Sequence, residues 1–162
     1  MRLPLFSFLL FLLLVSCTPN EAPLSEAAVS APTITEHPEY ANVESAILDY
    51  VESLYQADST RVERSVDSTL RKVGYYFNEE KNAYTGSLEM TFAQLSNLAA
   101  GWNKDGDRVT AESPKEIQIF EINDKTAIGK LTAEWGIDYF QLAHLDGKWK
   151  IMNVIWQSAP RE

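Results

Sequence analysis

KEIQIFEINDKTAIGKLTAEWGIDYFQLAHLDGKWKIMNVIW, residues 115–156, reads as four β-strands in hairpin succession. The strands span residues 115–122, 126–135, 137–145 and 148–156, and Asn123-Asp124-Lys125, Trp135-Gly136 and Asp146-Gly147 turn between them. Asp146-Gly147 is the firmest turn, because a two-residue type I′ loop needs positive φ twice and Asp-Gly supplies it at little steric cost. That loop pairs Leu145 with Lys148, His144 with Trp149, Leu142 with Ile151 and Phe140 with Asn153. Treating Trp135-Gly136 as a second two-residue loop sets Ala133 opposite Asp138, Leu131 opposite Phe140 and Gly129 opposite Leu142. Side chains alternate along a strand. One face then carries Ala127, Gly129, Leu131, Ala133, Asp138, Phe140, Leu142, His144, Trp149, Ile151, Asn153 and Ile155. It is an apolar floor with Asp138, His144 and Asn153 as polar exceptions. The register of strand 115–122 stays open, since a two- or three-residue loop exchanges Ile117/Ile119 with Phe120/Ile122 on the inner face.

The N-terminus has a different character. Arg2 precedes a Leu/Phe-rich run from Leu3 to Val15, the length of a signal h-region and too short to span a bilayer with ease. Leu14-Val15-Ser16-Cys17 follows and resembles the lipobox of bacterial lipoproteins, in which the cysteine is lipidated and becomes the new N-terminus. The expected division is a signal peptide over 1–16, a lipidated Cys17 with a disordered tether over 17–38, a folded domain over 39–158 and a tail over 159–162. Cys17 is the one cysteine of 162 residues, so acylation leaves no thiol for a disulfide, a metal or a nucleophile. Thr18 rather than aspartate follows it, which favours the outer membrane of the cell envelope over the inner one. The tether holds Pro19, Pro23, Pro32 and Pro38 and shows no lasting apolar period.

Lys and Arg number 14 against 23 Asp and Glu, a net charge of −9 without any basic cluster. Such a chain repels phosphate backbones, so nucleic acid is not an expected partner. Past the tether, Val43, Ala46, Ile47, Tyr50, Val51, Leu54 and Tyr55 recur at helical spacing over residues 39–57. A second, shorter helix begins at Asp58-Ser59-Thr60, where Asp58 or Ser59 can cap it. Val73-Gly74-Tyr75-Tyr76-Phe77 has β character, residues 78–82 form a polar loop, and Ala83-Tyr84-Thr85-Gly86 suits a short return strand. The third helix opens on the capping box Thr91-x-x-Gln94, carries Phe92, Leu95, Leu98, Ala99 and Trp102, and ends at Asn103-Lys104-Asp105-Gly106.

Helices followed by an antiparallel sheet with one apolar face give an α+β layer arrangement. The order helix, helix, short hairpin, helix, long meander resembles the nuclear-transport-factor-2-like superfamily. Within it, the chain is similar to the putative lumazine-binding family. The resemblance rests on residues 46–52 (AILDYVE), 90–92 (MTF), 98–103 (LAAGWN), 130–136 (KLTAEWG) and 146–151 (DGKWKI), and covers about residues 40–157. It implies a cone-shaped fold, N-terminal helices packed on a curved antiparallel sheet, with a pocket between sheet and helices. It supplies no catalytic motif.

Chemistry could lie in that pocket, walled by Tyr50, Trp102, Ala133, Asp138, Phe140, Trp149 and Asn153, and suited to a flat aromatic or apolar ligand. Small Ala127, Gly129 and Ala133 would leave it room; alternatively, bulky neighbours fill the space. Asn153 opposite Phe140 makes Asp138 its diagonal neighbour. A carboxylate on an apolar face is a candidate general base, as in the isomerases of this superfamily, or it hydrogen-bonds loop amides near its turn. His144 lies six residues from Asp138, roughly 20 Å along a strand, so the two form no dyad. No His/Asp/Glu spacing suits a metal, and no phosphate loop or nucleophile elbow calls for a cofactor. The other sheet face, with Ile137, Tyr139, Ala143, Leu145, Met152, Val154 and Trp156, is apolar enough to suggest a homodimer through it. Three function classes remain: a noncatalytic small-molecule-binding envelope lipoprotein, a structural or interaction module of the envelope, and an isomerase, dehydratase or cyclase using Asp138.

Overall fold

The apolar stripe of residues 43–55 folds as α1, Tyr40–Tyr55, and lies along the inner face of the sheet. The computed structural model describes residues 33–159; the expected signal peptide, Cys17 and the expected tether up to residue 32 lie outside them. The last tether residues form a single 3₁₀ turn, Ile34–Glu36, whose Ile34 packs against the core. Helix α1 stops where Ala57 takes a positive φ of 52°. Asp58 then caps α2, Ser59–Ser65, by accepting from the Thr60 amide at 3.0 Å. Arg61 and Arg64 of α2 reach back to Asp49 on α1, each at 2.8 Å.

The chain continues without a loop into β1, Val66–Tyr75, a ten-residue strand of which the sequence showed only the last part. A small hairpin follows, β2 Phe77–Asn78 with β3 Ala83–Tyr84, then β4 Leu88–Met90. Helix α3, Phe92–Gly101, opens on the Thr91/Gln94 capping box. The meander is β5 Lys115–Ile122, β6 Thr126–Ala133, β7 Gly136–Leu145 and β8 Lys148–Gln157. The main sheet has the order β4-β1-β8-β7-β6-β5. Its meander is antiparallel as expected, but β1 joins β8 in parallel, so the sheet is mixed. Parallel pairing needs a long return connection, and the whole meander supplies it.

Two departures from the expected registers, and the outcome for the register left open in β5, follow from local backbone. Strand β6 ends two residues early and the turn is Glu134-Trp135, so Ala133 pairs with Gly136, Leu131 with Asp138 and Gly129 with Phe140. A shift of two keeps every side chain on its face, and Ala127, Leu131, Ala133, Asp138, Phe140 and Leu142 are all buried. Strand β5 bulges at Phe120, which turns outward while Ile119 and Ile122 both enter the core. Strand β8 bulges at Met152: Leu142 still pairs with Ile151, but Gln141 pairs with Asn153 and Phe140 with Val154. A one-residue slip exchanges faces. Val154 is therefore core at 1% exposure and Trp156 packs inward, whereas Ile155 is 54% exposed on the outer face. Val154 and Trp156 thus leave the proposed dimer surface, and Asn153 leaves the inner face.

Candidate functional site

Asp138 faces inward because strand alternation from Leu142 and Phe140 puts it there, two residues past Gly136. It is fully buried, so each oxygen must be satisfied by protein. Tyr50, from the buried stripe of α1, donates its hydroxyl to Oδ1 at 3.1 Å, and the Lys72 ammonium donates to the same oxygen at 3.0 Å. Trp135 Nε1 donates to Oδ2. Lys72 also donates to the Tyr50 hydroxyl, which closes a triangle. Lys72 is 5% exposed and occupies an inward position of β1 between Leu70 and Gly74. Burial, then the charge and hydrogen bond of Asp138, push the Tyr50 phenol well above its ordinary value.

Aromatic rings surround this cluster. Trp135 meets Tyr50, Tyr55 and Trp102 edge-on at 6.3, 5.7 and 5.3 Å between centroids, and Trp102 stacks on Tyr55 at 6.0 Å. Tyr55 is held in turn, donating to the Pro114 carbonyl at 2.7 Å and accepting from the Glu134 amide at 2.9 Å. The Lys72 ammonium lies 5.3 Å from the centre of the Trp156 ring, a cation–π arrangement. Trp156 can cross β1 only because residue 74 is glycine: a Cβ there would lie 1.7 Å from the indole Nε1. Beside the cluster a half-open cavity of about 110 Å³ is walled by Trp102, Trp135 and Trp156. Leu54, Met90 and Leu98 complete its apolar lining, and Lys72 is its polar wall. Among the described residues no three His, Cys, Asp or Glu side chains converge as metal ligands would.

Over residues 38–157 the sequence matches the family described as putative lumazine-binding. The chain belongs to that family. Solved structures show the same fold around this lumazine-binding-family domain. An NTF2-like protein of unknown function from Shewanella baltica is 20% identical, with 81% of this chain and 100% of that one covered at a TM-score of 0.55. Another from Silicibacter pomeroyi is 18% identical, with coverages of 76% and 97% and a TM-score of 0.54. A ketosteroid isomerase-like protein from Erwinia carotovora atroseptica is 14% identical, with coverages of 77% and 99% and a TM-score of 0.51. No curated protein matches the sequence. The α+β fold of the nuclear-transport-factor-2-like superfamily is thereby established.

The lumazine-binding-family domain assembles only part of the residue set read from its sequence. Tyr50 and Asp138 meet in the cluster, and Trp102 walls the cavity. Phe140 is packed behind Tyr50 at 5.1 Å, inside the core. Ala133 is buried beside the β6–β7 turn and does not line the cavity. Gly129 opens no space either, because Ile47 of α1 fills it: an added Cβ would meet Ile47 Cδ1 at 2.8 Å. Trp149 belongs elsewhere, stacked on His144 at 5.1 Å and bonded through Nε1 to Glu39 at 2.9 Å. Asn153 lies on the outer face, bonded to Gln141 at 3.1 Å, and is no neighbour of the cavity. Sequence reading missed Lys72, Trp135 and Trp156. An intervening bulge hid Trp156, Trp135 read as a turn residue, and Lys72 preceded the stretch read as strand. The Leu70-x-Lys72-x-Gly74 alternation was the available signal.

Proposed function

We propose that this domain is a noncatalytic small-molecule-binding module of a lipid-anchored envelope protein, with its ligand in the cavity beside Lys72. The observation that carries the reading is the three-tryptophan wall around a half-open apolar space. Indole faces contribute large, rigid contact area to a flat aromatic or apolar guest. The space of about 110 Å³ is smaller than the cavity of roughly 150 Å³ that takes up benzene, so it suits one small ring at its open mouth rather than a large ligand. Asp138 is a poor prospect as a general base in a cyclase or isomerase, since it has no exposed surface and both oxygens already accept hydrogen bonds.

Cys17 would carry the acyl chains, with the domain held at the outer membrane by the tether. Two or more chains make such anchoring lasting. The outer sheet face, where Ile128, Tyr139 and Ile155 are exposed, would pair two copies. Ile155→Asp should then yield monomers, because burying an unpaired carboxylate costs several kcal/mol. Light scattering that shows a monomeric wild type would reject the dimer. Cys17→Ala should move the protein from the membrane to the soluble fraction, and unchanged fractionation with acyl label retained would reject the anchor. Native mass spectrometry of the full chain purified from its own membranes tests the pocket. A retained small mass that disappears in Leu98→Trp supports binding. A bare protein in every preparation, unaltered by Leu98→Trp, would favour a structural or interaction module.

A further inference from the structure

Lys72 says more about the ligand than the aromatic walls do. An ammonium carries three N–H donors. Asp138 Oδ1 takes one at 3.0 Å and the Tyr50 hydroxyl takes another, and no other described residue accepts the third. The nitrogen lies 5.3 Å from the centre of the Trp156 ring, which is itself a wall of the cavity. The third N–H is therefore open to an acceptor on a molecule that occupies the cavity.

Charge narrows the class further. The Lys72 and Asp138 side chains are 6% and 0% exposed, and together they are neutral. Among the described residues no other titratable side chain lines the cavity. Arg108 stacks over Trp102 at 5.6 Å, but it is exposed and outside the lining. A carboxylate entering here would lose its hydration while facing an ammonium that Asp138 has already neutralised. A neutral acceptor faces no such penalty.

On the reading that this cavity is the binding site, we infer that its ligand is a neutral single-ring molecule bearing one hydrogen-bond acceptor. That acceptor, a ketone, amide or ring nitrogen, takes the third N–H of Lys72 while the ring lies among Trp102, Trp135 and Trp156. The volume agrees, since a cavity of roughly 150 Å³ takes up benzene and this one, at about 110 Å³, is open on one side. Larger substituents would have to point outward.

Three probes of nearly the same shape test the inference on the full chain. They are acetophenone, a neutral acceptor; benzoate, an anion; and isopropylbenzene, which has no acceptor. Three of the four tryptophans line the cavity, so their fluorescence reports occupancy. Acetophenone should bind about tenfold or more tighter than either of the others, the least that a hydrogen bond from a charged donor contributes. Lys72→Met combined with Asp138→Asn removes both charges, leaves Tyr50 an acceptor, and should bring acetophenone to the level of isopropylbenzene. Leu98→Trp should abolish all binding. If the three probes bind wild type alike, or benzoate binds tightest, the inference about Lys72 falls while the pocket stands. If none binds, the pocket reading falls and the inference with it.

Discussion

The two ends of the β7–β8 ladder share a sheet face but not a character. Near Asp146-Gly147 the ladder runs as that turn dictates, His144 over Trp149 and Leu142 beside Ile151. The polar edge of Trp149 is sealed by Glu39, a carboxylate that its hydrogen bonds from Asn42 and Trp149 hold below the usual range. Beyond Met152 the ladder has slipped by one residue, and Asp138 and Trp156 face one another. There the filling is a buried ion pair and loosely nested indoles with a cavity beside them. One extra residue in β8 therefore separates an end packed on a His144–Trp149 stack from one built on a buried ion pair. The buried charge of Asp138 is tolerated on this face because Tyr50 of α1, Lys72 of β1 and Trp135 of the β6–β7 turn converge to satisfy it.

Lys72→Met should have the largest effect, since it strands the Asp138 charge in the core. Removing one partner of such a pair costs about 3–5 kcal/mol, to be read from the urea midpoint. The Lys72→Met, Asp138→Asn double variant should recover much of the loss. A single variant as stable as wild type would mean that the Asp138 end does not depend on its ion pair. Gly74→Ala comes next, because the new methyl occupies the place of the Trp156 indole. We expect an overpacking cost of about 1–3 kcal/mol and altered tryptophan emission, with the His144–Trp149 end unaffected in NMR spectra. Coincident perturbation of both ends would erase the distinction between them.

Tyr50→Phe should cost a comparable amount, about 1.5–3 kcal/mol for hydrogen bonds to charged groups, and its signature is in the pH dependence. The ordinary phenol value is 10.0, and the folded one is pushed well above it. Below that ordinary value the phenol is protonated in both states and its stabilisation is fully present. Above it the unfolded chain loses its proton first, so stability falls as pH rises. The decline of the urea midpoint from about pH 9 to about pH 11 should be shallower in Tyr50→Phe than in wild type. An identical slope would place the hydroxyl outside the buried cluster. Asn153→Ala should be the mildest change, within about 0.5 kcal/mol and without effect on any cavity ligand. A lost ligand there would restore the unbulged register.

Much of the fold was legible in the chain because its cues are local. The Asp146-Gly147 turn, the Thr91/Gln94 capping box and the helical stripe of residues 43–55 each depend on a few adjacent residues. The inner face from Ala127 to Leu142 was legible for the same reason, and survived a two-residue error in the turn because strand parity has period two. The site was only half legible. Asp138 stood out as a charge on an apolar face and Tyr50 as a wall of the same pocket, but their hydrogen bond and the ion pair with Lys72 did not. Lys72 lies 66 residues away and Tyr50 lies 88 away. Nothing local to either residue tells that β1 will join β8 in parallel or that Met152 will bulge. The sequence by itself determined which strands and helices form and which way most side chains point, since backbone propensity and alternation act over a few residues. Tertiary structure alone decided that Lys72, Trp135 and Trp156 join Tyr50 around Asp138, because a buried carboxylate must find its donors wherever the packed chain brings them.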